Sequence, residues 1–163
     1  MDREAAVGLA AVRTVVWKGL DAPRMEIARV ERDGPAVTAS GSQIGVAYEL
    51  RYELDGDRLR VEVVGEREAT VSLDGCDFFD LGLSPLFNSL PVWRDGLLEA
   101  GPTRDYVMRW VSVPELEVDE SRQRYEPLGD RVVRFRSGSF VADIAYDADG
   151  LVVRYEGLAE RLA

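Results

Sequence analysis

Histidine is absent from this sequence, and cysteine and lysine each occur once, as Cys76 and Lys18. Without an imidazole there is no Ser-His-Asp or Cys-His arrangement, and the commonest metal ligand is missing. A single cysteine makes no intrachain disulfide, which fits a reducing compartment. Cys76 has no His or Lys beside it to lower its pKa and has Asp77 as a neighbour, so it reads as a buried structural thiol rather than a nucleophile. Positive charge is scarce too: 20 basic residues face 30 acidic ones, for a formal charge of -10, and the arginines gather in no run. Such a chain repels phosphate backbones, so no nucleic-acid partner is expected. No stretch approaches the ~20 apolar residues of a spanning helix, so no transmembrane segment is expected. The apolar run Ala5 to Val12 is short for a secretory signal and follows Asp2-Arg3-Glu4, an acidic leader; a cytoplasmic protein is the expectation.

Two further absences concern ligands. No glycine string has the spacing that cradles a nucleotide phosphate, and no cofactor is expected. Asp147-Ala148-Asp149-Gly150 starts like a calcium loop, but the twelfth position is Leu158 rather than Glu, so the segment reads as a hairpin turn without a metal.

What the chain does have is period-two alternation. Tyr48, Leu50, Tyr52 and Leu54 point one way while Glu49, Arg51, Glu53 and Asp55 point the other. Asp55-Gly56-Asp57 turns the chain into a second alternating run, Arg58 to Val63, and the pair reads as an antiparallel hairpin with one wet face. The same grammar recurs through Tyr106, Met108 and Trp110, and again through Phe140, Ala142, Ile144 and Tyr146, with Gly, Pro, Asp and Ser clusters between runs. Helix is scarce; Arg3 to Val12 and Gly157 to Leu162 are weak candidates for a turn or two. No linker divides residues 1–163, so one domain is expected. The fold class is all-β and mainly antiparallel. A sheet of about ten or more strands accumulates twist, so a single curled sheet forming a roll or partly open barrel follows.

One segment breaks the grammar: Leu73 to Arg94 holds the only cysteine, three aspartates, two prolines and four aromatic residues. On a strand Asp74 and Asp80 share a face and Asp77 opposes them. Two carboxylates on one side of a cavity could serve a glycosidase or a metal, but aspartates are common at strand ends, and no catalytic residue is assigned. Pro85 and Pro91 bracket Leu86 to Leu90, interrupt any regular ladder, and are expected to bend the chain at one end of the roll.

Asp74-Gly75-Cys76-Asp77-Phe78-Phe79-Asp80-Leu81, then Ser84-Pro85, Phe87-Asn88-Ser89-Leu90-Pro91 and Val92-Trp93-Arg94, resembles the signature of the putative glycolipid-binding family, a bacterial group. The likeness continues in Val16-Trp17, Tyr48 to Tyr52, Val113 to Val118, Gln123-Arg124-Tyr125 and Asp147 to Tyr155, and spans nearly the whole chain. It implies a spiral β-roll, similar in outline to bacterial lipoprotein carrier proteins that shelter acyl chains in a curled sheet. There are departures: Ser84-Pro85 replaces a Thr-Pro, Phe87-Asn88-Ser89 a Thr-Asn-Thr, and Trp93-Arg94 a pair of basic residues.

The resemblance implies a glycolipid or another amphiphilic small molecule held in the apolar interior of the roll. Each buried CH2 would contribute ~0.8 kcal/mol, and a few polar groups at the mouth would take a head group. Candidates for the lining are Tyr48, Leu50, Tyr52, Val61, Met108, Trp110, Phe140 and Ile144, which a dry core would use equally well. Candidates for ligand contact are Trp17, Asp80, Asn88, Trp93, Arg94 and Tyr125. Three classes stay open. A carrier needs a long apolar cavity with a polar rim. A carboxylate-dependent hydrolase acting on a glycoside or acyl ester needs two convergent carboxylates with perturbed pKa values. A protein-interaction module needs a filled roll and an exposed apolar patch. Oligomeric state is not legible.

Overall fold

The structure, a computed structural model, describes residues 11–163. Within them thirteen strands form one sheet, and the helix is limited to a four-residue 3-10 turn, Pro85–Asn88, and one seven-residue helix, α1 (Ser89–Asp95). Six strands descend as consecutive hairpins: β1 (Ala11–Gly19), β2 (Met25–Asp33), β3 (Ala36–Ile44), β4 (Glu49–Asp55), β5 (Arg58–Val63) and β6 (Arg67–Ser72). After β7 (Phe78–Leu81) and the helical segment, a second meander runs through β8 (Arg104–Val111), β9 (Val118–Gly129), β10 (Val132–Ser137), β11 (Phe140–Tyr146), β12 (Val152–Tyr155) and β13 (Ala159–Arg161). The spatial order is β6-β5-β4-β3-β2-β1-β13-β12-β11-β10-β9-β8-β7. All pairings are antiparallel except β7 on β8, which is parallel, as the crossover through the helical segment permits.

The two meanders are joined by the β1–β13 pair, with Trp17 opposite Arg161 and Gly19 opposite Ala159. This corrects the expectation of helix at Gly157 to Leu162. Ala159 to Arg161 complete a ladder with both β1 and β12, and that pairing overrides a weak local preference. Of the other weak helix, Arg3 to Ala10 lie outside the described residues, and Ala11 and Val12 begin β1.

The sheet stays open. Its edges, β6 and β7, do not pair, so it is a spiral β-roll rather than a closed barrel. Two bonds tie the ends across the roll: Gln43 on β3 donates to the carbonyl of Gly82 at 3.4 Å, and Arg67 on β6 donates to that of Pro114 at 2.8 Å. Strand β7 is accordingly covered on both sides, with Phe79 and Leu81 buried on one face and Phe78 and Asp80 partly buried on the other.

The proline-bracketed segment is where the structure departs most from expectation. Rather than bending at one end of the roll, Pro85 to Val92 is helical, and every residue in it is buried. Proline has no N–H to lose in a first helical turn, so Pro85 can open the 3-10 turn and Pro91 can sit early in α1. Gly96, left-handed at φ 66°, ends the helix and donates its N–H to Val92. The segment plugs the roll. Phe87 packs edge-on to Tyr52 at 5.5 Å, and the Tyr146 hydroxyl donates to the Asn88 carbonyl at 2.9 Å. A row of edge-to-face rings, Phe78, Tyr106, Tyr125 and Phe135, crosses the second meander beside it. Each such pair adds roughly 0.5–1.5 kcal/mol beyond its buried area. Among the described residues no helix is long and apolar enough to cross a membrane.

Candidate functional site

Parallel pairing of β7 with β8 sets the site. Phe78 lies opposite Met108 and Asp80 opposite Trp110, so Asp80 joins the inward face of the second meander. On β9, Gln123 lies opposite Tyr106 and takes the same face. Between them opens a cavity of about 720 Å3. Asp80, Gln123 and Asn88 bring polar groups to it, Trp110, Phe135, Phe140, Tyr155 and Leu158 give it apolar walls, and Glu115, Asp119 and Glu120 also line it. Among the described residues four carboxylates line the cavity and no arginine or lysine does.

Gln123 is 4% exposed. Its Nε2 donates to Asp80 Oδ2 at 2.6 Å and to Ser121 Oγ at 3.2 Å, while its Oε1 is buried with no partner among the described residues. An orphaned carbonyl of this kind carries a desolvation cost that a donor arriving from the cavity would relieve. Burial pushes the Asp80 carboxyl up to about 6, with the Gln123 bond opposing the shift. Asn88 donates its amide to the Tyr125 hydroxyl at 3.0 Å, and burial pushes the phenols of Tyr125 and Tyr146 well above their ordinary value.

A second buried carboxylate, Glu26, escaped the sequence reading. It is 3% exposed, on the inward face of β2 with Ala28 and Val30. Its Oε1 accepts from Gln43 at 3.0 Å, and its Oε2 accepts from Tyr52 at 2.8 Å and Ser84 at 2.6 Å. Burial raises its pKa, opposed by those three bonds and by the charge of Arg24. With both oxygens engaged, Glu26 holds Ser84, the residue that caps the plug, to β2 and β4. A Glu at the inward parity of an otherwise apolar strand was the available signal.

The aspartate triplet is dispersed. Asp74 does not share a strand with Asp80, because β7 begins only at Phe78 and Asp74-Gly75 forms a turn with both residues at positive φ. Asp74 ion-pairs with Arg109 at 3.8 Å, and Asp77 accepts the Val107 N–H at 2.8 Å. Cys76 is buried, which pushes its thiol up. Asp147 to Gly150 make the turn between β11 and β12, with Asp147 accepting the N–H groups of Asp149 and Leu151. Among the described residues no cluster of three acidic or cysteine side chains could hold a metal.

The sequence-based site residues fall into three places. Asp80, Asn88, Trp110 and Phe140 meet at the cavity, and Tyr125, which does not line it, is hydrogen-bonded to Asn88. Leu50, Tyr52, Val61, Met108 and Ile144 are core residues, and Tyr48 packs half-buried against them. Trp17 is also in the core, 1% exposed, with its indole N–H on the Val152 carbonyl at 2.8 Å. Trp93 and Arg94 line a separate cleft of about 430 Å3 between the β2–β3 turn and α1. There Trp93 donates to the Asp149 carbonyl at 2.7 Å, and Arg94 is held by both oxygens of Asp95. Gln123, Phe135 and Tyr155 also line the cavity; Gln123 and Tyr155 lie in stretches that carry the family likeness, but none of the three is among the sequence-based site candidates.

Residues 61–161 match the model of the family described as putative glycolipid-binding. The chain belongs to this family. Every residue lining the larger cavity lies inside the matched span, whereas Arg32, Val37 and Leu54 of the smaller cleft lie outside it. A crystal structure of a DUF1089 family protein from Pseudomonas aeruginosa superposes with a TM-score of 0.58 at 24% identity, covering 94% of this chain and 91% of that one. At that identity the likeness supports the fold. No curated protein matches the chain.

Proposed function

We propose that this member of the putative glycolipid-binding family binds an amphiphile with an uncharged, hydroxyl-bearing head group in the cavity between β7 and the second meander. The observation that carries the reading is the buried, unpartnered Oε1 of Gln123 beside Asp80, in a chamber walled by aromatic rings. A sugar hydroxyl would donate to that carbonyl, and Asp80 and Asn88 offer further polar groups. Trp110, Phe135, Phe140 and Tyr155 present faces for sugar C–H surfaces or for an alkyl chain. The four lining carboxylates repel a phosphate, sulfate or carboxylate head group, which favours an uncharged one. The plug already fills the roll beside Tyr52, so the proposed place for the apolar tail is this cavity rather than the whole interior. A reducing cytoplasmic setting accords with the single buried thiol of Cys76.

Native mass spectrometry of protein purified without detergent, followed by titration with monomeric octyl glucoside, tests the proposal. A copurifying amphiphile or saturable glucoside binding is expected. Binding should weaken in Phe140→Ala, a change at a half-exposed ring that leaves the fold intact. No copurifying molecule together with no saturable binding overturns the reading.

A further inference from the structure

The smaller cleft has the opposite electrostatic character. Its apolar walls are Val37, Leu54, Leu73, Phe79 and Leu90, closed on one side by Trp93. Its charged lining is Arg32, Arg94 and Asp77, two cations to one anion, in a chain of net charge -10. Both guanidiniums lie over aromatic rings at 4.5 Å, Arg32 over Trp93 and Arg94 over Phe78, an arrangement that fixes a cation in place.

The two arginines differ in what they have left to offer. Arg94 spends its Nε and Nη2 on Asp95. Among the described residues Arg32 makes one long contact, Nη1 to the Asp149 carbonyl at 3.5 Å, and its Nε is buried without a partner there. Desolvation lowers the Arg32 pKa, opposed by the charge of Asp149, whose carboxylate is already paired with Arg13. A planar guanidinium with unspent donors at the end of an apolar slot matches the carboxylate or phosphate of an alkyl anion.

We propose that the cleft between the β2–β3 turn and α1 is a second binding site, taking an anionic amphiphile with its alkyl chain against Leu54 and Leu90 and its anion on Arg32. The shared chemistry of the ligand is a carboxylate or phosphate monoester on an alkyl chain. This site is independent of the Asp80–Gln123 cavity, whose lining carboxylates disfavour the same anions, and stands if that reading fails.

Titration calorimetry with octanoate, octyl phosphate, inorganic phosphate and octyl glucoside tests it. Octyl phosphate and octanoate should bind at one site and should not be displaced by excess octyl glucoside. Arg32→Met keeps an unbranched side chain over Trp93 without the charge, and it should weaken binding about tenfold or more, the loss of one charge-assisted hydrogen bond. Inorganic phosphate should bind at least about tenfold more weakly than octyl phosphate, because it leaves the apolar wall unused. In the wild-type protein, affinity should fall as salt rises, a readout that needs no variant to fold. Unchanged affinity in Arg32→Met, equal binding of inorganic phosphate, displacement by glucoside, or salt-independent binding each overturns the proposal.

Discussion

Gly41 on β3 faces Tyr52 on β4 so closely that a Cβ on the glycine would lie 2.4 Å from the phenol oxygen. The bare backbone lets the ring lie across β3, and its hydroxyl then reaches Glu26 on β2 at 2.8 Å. Gly41→Ala would push the ring off that path, and overpacking of this kind costs typically 1–3 kcal/mol. The expected result is a lower urea midpoint with an unchanged slope. A variant as stable as wild type would mean that Tyr52 is not held where the structure places it.

The plug gives a sharper expectation. Phe87 is fully enclosed between the 3-10 turn and the sheet, edge-on to Tyr52. Phe87→Ala removes most of a buried ring and should cost about 3–5 kcal/mol, with Phe87→Leu losing clearly less. Chemical denaturation of the two variants separates this from a peripheral loop, where neither change would exceed ~0.5 kcal/mol.

The fold was legible because alternation is a local signal. Tyr48 to Val63 announced a hairpin, and the structure pairs Leu50 with Val63 and Leu54 with Leu59 across it. The plug was not legible, since Pro85 and Pro91 argue against a ladder without saying that a short buried helix replaces it. Strand β13 was hidden for a related reason: Ala159 to Arg161 become a strand only because β1, some 140 residues earlier, supplies a partner edge. The site was half legible. Asp80 and Asn88 were named with Trp93 and Arg94 as one set, yet α1 carries the second pair into a different cleft. Gln123 lay in a stretch that carries the family likeness, but its contact with Asp80 was hidden, because it depends on the parallel register of β7 on β8.

Asn88 and Tyr125 form a buried pair whose coupling can be measured. The amide donates to the phenol at 3.0 Å, and the Asn88 backbone carbonyl is separately held by Tyr146. Asn88→Ala leaves a buried phenol unpaired, at a cost of about 1–3 kcal/mol, whereas Tyr125→Phe leaves the amide unpaired instead. In a double-mutant cycle on unfolding free energies, the double variant should lose less than the sum of the single losses. Strict additivity would remove the bond from the account of how the plug is held.

Gly150 constrains the other cleft in the same way that Gly41 constrains the core. It stands at φ +82°, and a Cβ there would meet Trp93 Nε1 at 2.7 Å. Gly150→Ala is therefore strained both in its backbone and against the indole, and it should destabilise by more than about 1 kcal/mol. Because Arg32 rests on the Trp93 ring, displacement of that ring should also weaken octyl phosphate binding. Measuring stability and binding in the same variant links the turn to the cleft.

The pH dependence of stability follows from Asp80. The folded protein holds its proton up to about pH 6, while the unfolded chain releases it near the ordinary value of 3.8. Between those values the folded state binds more protons than the unfolded one, so stability falls as pH rises through that window. The contribution is fully present below about pH 4 and lost above about pH 6, with a ceiling near 3 kcal/mol set by the size of the shift. Glu26, also raised by burial, acts with the same sign, so the raw curve does not isolate Asp80. Asp80→Asn does, because it keeps the shape and removes the titration. Urea midpoints at several values between pH 4 and 7 should show wild type losing stability relative to Asp80→Asn as pH increases. A difference that stays flat, or that runs the other way, would mean that the Asp80 carboxylate is solvated or paired with a cation in solution rather than buried beside Gln123.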